Sequence, residues 1–406
     1  MKTVCIFIAD SNGRYPVPAS KGGAVATLVE LLIAGNEEKK LLDMTVVSYY
    51  DEQAVRLSKK YPSIKFIWIK TPWMLRIVDK VIYRALSNFK KIHATSFLSF
   101  MALIHYTLKS STILRKGHFD IALLEHNIPM IWMMKWSGFK GKYFHHLHNI
   151  PRTNAKCNWA INRCDGFICI SQFMAEEIMS KHNPIGPVSA SKIHLLYNTI
   201  DTNQFKPIPD LDTVSLRKKL GLATDSKILI FTGRLTWEKG IDKLLESLDF
   251  LETANVEVLI VGSISFKIEN TSSYEIELKA MAEKYKNIVH FTGYIEHAEL
   301  PKLYNLADIA VLPSMWEEPA GLTMLEAIAC GTPVITTKSG GIPEYVGDSA
   351  IVLARNTQLP QNIAKAIDSL LSNKQQYEDL RSKGVKRIRL NFDSSNYINQ
   401  LANVIS

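Results

Sequence analysis

The sequence predicts two doubly wound α/β domains joined by a short polar linker. Three observations carry this. The chain has 406 residues, more than one hydrophobic core usually covers. Its second half alternates short buried-strand patterns with helical ones, and its first half repeats the scheme. Alternation of this kind means βαβ units and a parallel sheet.

In the first half, strand patterns fall near 3–9, 44–49, 64–69, 119–125, 142–148, 166–171 and 192–197. Between them "GGAVATLVELLIAG" (22–35) and "MAEEIMS" (174–180) read as helices. The segment "NTIDTNQFKPIPDLD" (198–212) is polar, holds two prolines and lacks periodicity, so it is the expected linker. In the second half, strands are expected at 227–234, 256–263, 288–294, 309–314 and 333–337. Ile241, Leu244, Leu245 and Leu248 mark one helix face, and Leu300, Leu303, Tyr304 and Ala307 another. Ligands of such sheets bind beyond the carboxyl ends of the strands. Two domains with those ends facing each other would enclose a central cleft.

Composition is that of an ordinary globular protein, 47% hydrophobic and 21% charged. The five cysteines form no CxxC pair and their number is odd, which fits buried thiols in a reducing compartment. The start "MKTVCIFIAD" reads as a first strand and not a signal peptide. The longest uncharged run, Ile92 to Leu108, falls short of the ~20 apolar residues a spanning helix needs. A cytoplasmic chain is expected.

The net charge of +9 is uneven. Residues 1–200 hold 26 Lys/Arg against 13 Asp/Glu, and residues 201–406 hold 22 against 26. From Lys70 to Lys116 there are nine cations and one acid, Asp79. Trp73, Met74, Leu75, Ile77, Val78, Ile82 and Tyr83 interleave there with Arg76, Lys80 and Arg84, and Lys90 and Lys91 follow. Basic, apolar and aromatic residues on one segment suit a helix lying on an anionic membrane surface; a merely solvated basic face is the plain alternative. No nucleic-acid module accompanies the charge, so nucleic acid is not an expected partner.

Two stretches of the second half carry candidate chemistry. In "FTGRLTWEKGIDKLLE" (231–246), Gly233 and Arg234 end a strand, and Lys239 and Gly240 precede a helix. A guanidinium, an ammonium and a helix N-terminus together suit a diphosphate; a surface Arg and Lys in a loop is the plain alternative. In "WEEPAGLTMLEA" (316–327), Pro319 and Gly321 make Glu318 a loop residue, and Glu326 lies inside a helix starting near Leu322. The backbone N–H groups of Ala320 to Thr323 point where an anion or a hydroxyl would sit. A carboxylate accepts well from paired hydroxyls such as those of a ribose. Solvated charge is the alternative for both glutamates, and more so for Glu317.

The order Gly233-Arg234, Lys239-Gly240, Glu318-x7-Glu326, "GTPVI" and "GGIPE" (340–344) resembles the retaining family-4 glycosyltransferases of GT-B fold. In the first half "KGGAVATLVELL", "HHLHN", "ICISQFMAEEI" and "LLYNTIDTNQF" look like weaker family motifs. The resemblance spans roughly residues 1–350. It implies an acceptor domain over 1–198 and a nucleotide-sugar donor domain over 199–384, with a helix over about 385–406 returning to the first domain. It implies that Arg234 and Lys239 grip the donor diphosphate beside Gly233, and that Glu326 binds the ribose. Glu318 would bind the sugar with the backbone at Gly321, Leu322 and Thr323. Gly22 and Gly23 would let the backbone approach the phosphate and acceptor side, and His148 would face the donor sugar. The base would lie near Val261 and Gly262. Catalysis would rest on His148, Glu318, Arg234 and Lys239, without metal or cofactor, and with the leaving phosphate oxygen taking the acceptor's proton. Thr199, Ala320 and Asn149 depart from the family pattern, and Ala320 leaves more room beside the sugar.

The expected activity is transfer of a hexose from a nucleotide diphosphate sugar, UDP-linked, to a lipid-linked or envelope polysaccharide acceptor. It would take place at the inner face of the cell membrane. A non-catalytic sugar-nucleotide-binding or scaffold protein of the same fold, and a GT-B phosphorylase, are the alternatives. A glycosidase-like pair of carboxylates fits poorly, because hydrolysis needs both astride one bond. A zinc site at His146 and His148 lacks an apparent third ligand in the sequence.

Overall fold

The structure, a computed structural model, describes residues 1–9, 15–87, 98–262 and 273–406. The chain divides into two compact units, 1–198 with 394–406 and 199–393.

Unit 1 carries β1 (Thr3–Ala9), β2 (Asp43–Tyr49), β3 (Lys65–Ile69), β4 (Ile121–His126), β5 (Lys142–Leu147), β6 (Gly166–Cys169) and β7 (Ile193–Leu195). They form one sheet in the order β3-β2-β1-β4-β5-β6-β7. Unit 2 carries β8 (Lys227–Thr232), β9 (Val256–Val261), β10 (Val289–Gly293), β11 (Ile309–Leu312), β12 (Val334–Thr337) and β13 (Ala350–Leu353). Their order is β10-β9-β8-β11-β12-β13. Every registered pair is parallel. The reason is in the strands themselves. Segments such as "VEVLIV" are buried at every position, and a strand apolar on both faces needs helices on both. Both units are therefore Rossmann-like.

In each sheet the strand order reverses once, between β1 and β4 and between β8 and β11. Loops leaving the carboxyl ends of those two strands diverge to opposite faces, and the gap between them is where such sheets hold ligands.

The return of the chain comes later than about 385. The helix Lys374–Asn391, capped by Asn373 accepting from Gln376 N at 3.0 Å, stays with unit 2. Its Gly384 packs against Ile328, with no room for a Cβ. Only 394–406 joins unit 1, where Tyr397, Ile398 and Leu401 of the helix Tyr397–Val404 are buried. Gly35 of the helix Ala24–Lys39 admits this contact, since a Cβ there would stand 2.9 Å from Ile398.

Candidate functional site

In unit 2 the site is built at the strand-order reversal. β8 ends at Thr232, and Gly233 follows with φ 149°. Gly262, just past β9, approaches so closely that a Cβ would lie 1.8 Å from the Gly233 carbonyl oxygen. The loop from Gly233 passes Arg234, whose guanidinium is half exposed and stands 4.0 Å from Glu238. It then turns at Gly240, in the left-handed region at φ 67°. A Cβ at Gly240 would sit 2.1 Å from the Pro313 carbonyl oxygen, so only glycine fits. Met315 N donates to Glu238 O at 2.8 Å, and Ser314 Oγ donates to the same oxygen at 3.2 Å. The loops after β8 and β11 are thus stitched into one surface.

That stitching brings Lys239 onto Glu318 as a half-buried ion pair. The sequence reading assigned these two side chains to different parts of one ligand; here each is the other's partner. Glu318 is also held by its backbone, its carbonyl accepting from Gly341 N at 2.7 Å. Glu317 is no free surface charge. It pairs with Arg355 and accepts from Gly340 N at 2.6 Å, which clamps the loop against the 340–341 turn. Arg355 donates to Met315 O at 3.1 Å and completes the clamp.

Past Ala320, the helix Leu322–Ala329 begins at Gly321 with no side-chain cap. The first-turn N–H groups at Leu322 and Thr323 are therefore not claimed by a capping side chain, and they attract negative charge. One turn on, Glu326 is buried at 5% exposure. Its Oε1 contacts His297 Nε2 at 2.7 Å and its Oε2 accepts from Tyr304 OH at 3.2 Å. Tyr304 OH also meets Thr232 Oγ1 at 2.7 Å, tying Glu326 to the end of β8. Burial lowers the pKa of His297, but the Glu326 carboxylate outweighs it and the net shift is upward. His297 and Tyr304 were not singled out as site residues in the sequence. Tyr304 was legible only as part of an apolar helix face, and His297 stands 29 residues from its partner.

In unit 1, Gly22 and Gly23 precede the helix Ala24–Lys39 with φ 71° and 102°. His148 stands just past β5 and is buried. Its Nε2 lies 2.7 Å from Glu125 Oε2, and His146 Nδ1 lies 3.1 Å from the same oxygen. His145 points to the other sheet face, against Phe167. The sequence reading found no third ligand beside His146 and His148. The structure supplies one: Glu125, registered with His146 across β4 and β5, brings three ligand-type atoms within 4.8 Å of one another. At 2.7 Å, the carboxylate and His148 are closer than two ligands of one tetrahedral zinc, about 3.3 Å apart at the usual bond lengths. The contact is that of a charge-assisted hydrogen bond. Burial alone would raise the Glu125 pKa, but the two imidazoles pull it below the usual range. Burial pushes His148 down to about 4. His148 is then neutral near pH 7 and donates from Nε2 to the carboxylate, which leaves Nδ1 as the acceptor.

The helix Trp73–Ser87 exposes Trp73, Met74, Ile77, Val78 and Val81, together with Arg76, Lys80 and Arg84. Leu75, Ile82 and Tyr83 are less exposed than expected for a face on a membrane. Asp79 is buried because it accepts from Met101 N and Ala102 N at the start of the helix Phe100–Lys116. Lys90 and Lys91 lie outside the described residues.

Residues 54–204 match the model of "Glycosyltransferase Family 4", and residues 212–387 match that of "Glycosyl transferases group 1". The chain is 27% identical to spore coat protein SA of Bacillus subtilis, over 69% of this chain and 76% of that protein. It is 28% identical to the uncharacterized glycosyltransferase MJ1607 of Methanocaldococcus jannaschii, over 60% of this chain and 65% of that protein. Among solved structures, Anabaena Alr3699/HepE in complex with UDP and glucose superposes with a TM-score of 0.72 at 19% identity, covering 99% of both chains. WaaG, a glycosyltransferase involved in lipopolysaccharide biosynthesis, gives 0.67 at 16% identity, again over 99% of each. At these identities the superpositions establish the fold.

The depressed His148 pKa has a consequence for stability. Below about pH 6.5 an unfolded histidine binds a proton, whereas folded His148 does not until about pH 4. The urea midpoint of unit 1 should therefore fall as pH drops through that window. In His148→Asn the fall should be shallower, and an equal slope in the two proteins would contradict a buried neutral His148.

Proposed function

Since the chain is built from the family-4-type and group 1 domains of the glycosyltransferases, we propose that it moves a hexose from UDP-sugar to a lipid-linked or envelope polysaccharide acceptor, with retention. The observation that carries this reading is the convergence, at one strand-order reversal, of Arg234, Lys239, an uncapped helix N-terminus and Glu326. The neighbour in complex with UDP and glucose supports the donor class.

In this reading the bond between the sugar carbon and the diphosphate oxygen breaks. Negative charge grows on the leaving diphosphate. Arg234, Lys239 and the N–H groups at Gly321, Leu322 and Thr323 meet that charge, which stabilises the transition state and not merely the bound donor. With this much positive charge, the reading assigns no metal or cofactor. Glu326 accepts from the ribose hydroxyls, with His297 and Tyr304 fixing its orientation. A carboxylate has about four acceptor positions, so two engaged partners leave room for the ribose. Lys239 exchanges Glu318 for phosphate on binding, and the freed Glu318 accepts from the sugar beside Ala320. The family resemblance adds front-face attack, the leaving oxygen taking the acceptor's proton, and a sugar-facing role for His148 and for the Gly22-Gly23 turn. A non-catalytic sugar-nucleotide-binding protein of the same fold would hold the diphosphate without releasing UDP, and a phosphorylase would need a denser basic pocket.

The acceptor side follows the helix Trp73–Ser87. Among the described residues no helix is long and apolar enough to cross a membrane. This one instead shows an exposed apolar face, at spacings of one, four, five and eight residues from Trp73, flanked by cations. That pattern suits an interfacial helix on an anionic membrane, the inner face in a cell.

Lys239→Ala should lower UDP release from UDP-sugar about a hundredfold, the size of effect seen when one transition-state donor is lost; Glu326→Ala should lower it by loosening the hold on the ribose, with the protein still folded. Wild-type turnover in either variant would remove the donor assignment. On the membrane side, Trp73→Ser with Val81→Ser should cut co-sedimentation with phosphatidylglycerol vesicles. Undiminished sedimentation would remove the interfacial helix.

A further inference from the structure

A cavity of about 310 Å³ opens in unit 1, and none of its lining residues belongs to unit 2. It lies past the carboxyl ends of β2 and β3, and its walls include Lys21, Tyr50, Asp51, Lys70, Thr71 and Arg76. Its charges are not equally committed. Lys21 pairs with Asp51 at 2.8 Å. Asp51 also accepts from Ser20 Oγ and from Gln53 N and Ala54 N, capping the helix Glu52–Ser58. Burial would raise its pKa, yet these partners lower it, so it stays ionised and occupied.

Lys70 and Arg76 differ. Among the described residues neither forms an ion pair. The Lys70 ammonium stands 5.3 Å over the Tyr50 ring. Arg76 gives one N–H to Thr71 O at 3.3 Å, and the rest of its fork is uncommitted. Thr71 is 5% exposed, and its Oγ1 has no hydrogen-bond partner. A buried hydroxyl without a partner is costly. Two exposed cations without an ion pair and a buried hydroxyl without a partner share one cavity wall, which suits an anion rich in acceptors. Phosphate fits this, because a guanidinium forks onto two of its oxygens and an ammonium adds a point charge.

Position decides what carries the phosphate. Arg76 belongs to the helix that exposes Trp73, Met74 and Ile77, so hydrocarbon surface begins within one turn of the cation. Tyr50, 41% exposed, offers a ring face on the cavity wall. We infer that this cavity binds the phosphate of a lipid-borne acceptor, Lys70 and Arg76 holding its oxygens while the hydrocarbon lies along the outer face of the helix Trp73–Ser87. The inference rests on the glycosyltransferase reading for the word acceptor, and on the cavity alone for the phosphate. Glu52, the second acid on the wall, disfavours a more highly charged cluster of anions.

The test uses the full chain with saturating UDP, so that the donor side does not capture phosphate. Phosphatidylcholine vesicles carrying 5 mol % farnesyl phosphate are the probe, and vesicles without it are the blank. Wild type should bind the probe vesicles about tenfold more tightly than the blank, and Lys70→Ala with Arg76→Ala should bring binding down to the blank. Lys59→Ala with Lys60→Ala, the same charge loss off the cavity wall, should leave binding unchanged. Equal losses in the two double variants would mean general electrostatic attraction and would overturn the site. Binding of glucose 1-phosphate as tight as that of the vesicles would assign the cavity to a soluble sugar phosphate and overturn the lipid source. UDP release from UDP-sugar, measured on wild type and on the same Lys70/Arg76 variant, tests the donor reading separately: its failure in wild type removes that reading and leaves phosphate binding standing.

Discussion

The candidate site of unit 2 depends on one steric constraint, the contact between Gly240 and the carbonyl of Pro313. Parallel strands on either side of a strand-order reversal send their loops to opposite faces. Something must draw the loops after β8 and β11 together. In this chain it is the turn at Gly240, with φ 67° and no space for a Cβ, fixed by Met315 N and Ser314 Oγ on Glu238 O. Once that contact is made, Lys239 has only a short reach to Glu318. Gly340 repeats the device on the other side: a Cβ there would lie 2.3 Å from Glu318 O. Glycines at both contacts let backbone meet backbone, and the charged side chains are aimed as a consequence.

This geometry separates the two glutamates that the sequence places eight residues apart. Glu318 sits in a loop and is answered by a lysine. Glu326 sits in a helix, is nearly buried, and is answered by His297 and Tyr304. They have different partners and different exposure, unlike a pair of carboxylates sharing one proton or flanking one bond. In the proposed reaction they hold different parts of one donor, and the uncapped helix start between them meets its charge.

Much of the fold was legible because the strands are short apolar runs buried on both faces, and periodicity reports that directly. β13 was not read, since "AIVL" is only four half-buried residues. Arg234, Lys239, Glu318 and Glu326 stood out because glycine and proline punctuate the loops around them. Glu125, His297 and Tyr304 did not, since their roles come from partners on other elements: Glu125 needs the register of β4 on β5. The basic segment shows the limit in another form. Its composition predicted a helix with an apolar face, but not that Asp79 would be buried and capping the next helix, which fixes the side that remains outward. The late return of the chain was hidden too, because nothing local distinguishes a helix that packs on Ile328 from one that crosses over.

In the proposed function unit 2 grips a nucleoside diphosphate through its phosphates at Arg234 and Lys239. Calorimetric titration with UDP and with uridine, on wild type and Arg234→Ala, tests it most directly. The variant should weaken UDP binding by about tenfold or more, in line with loss of a charge-assisted fork, and leave uridine binding unchanged. UDP binding of equal strength in the two proteins would contradict it.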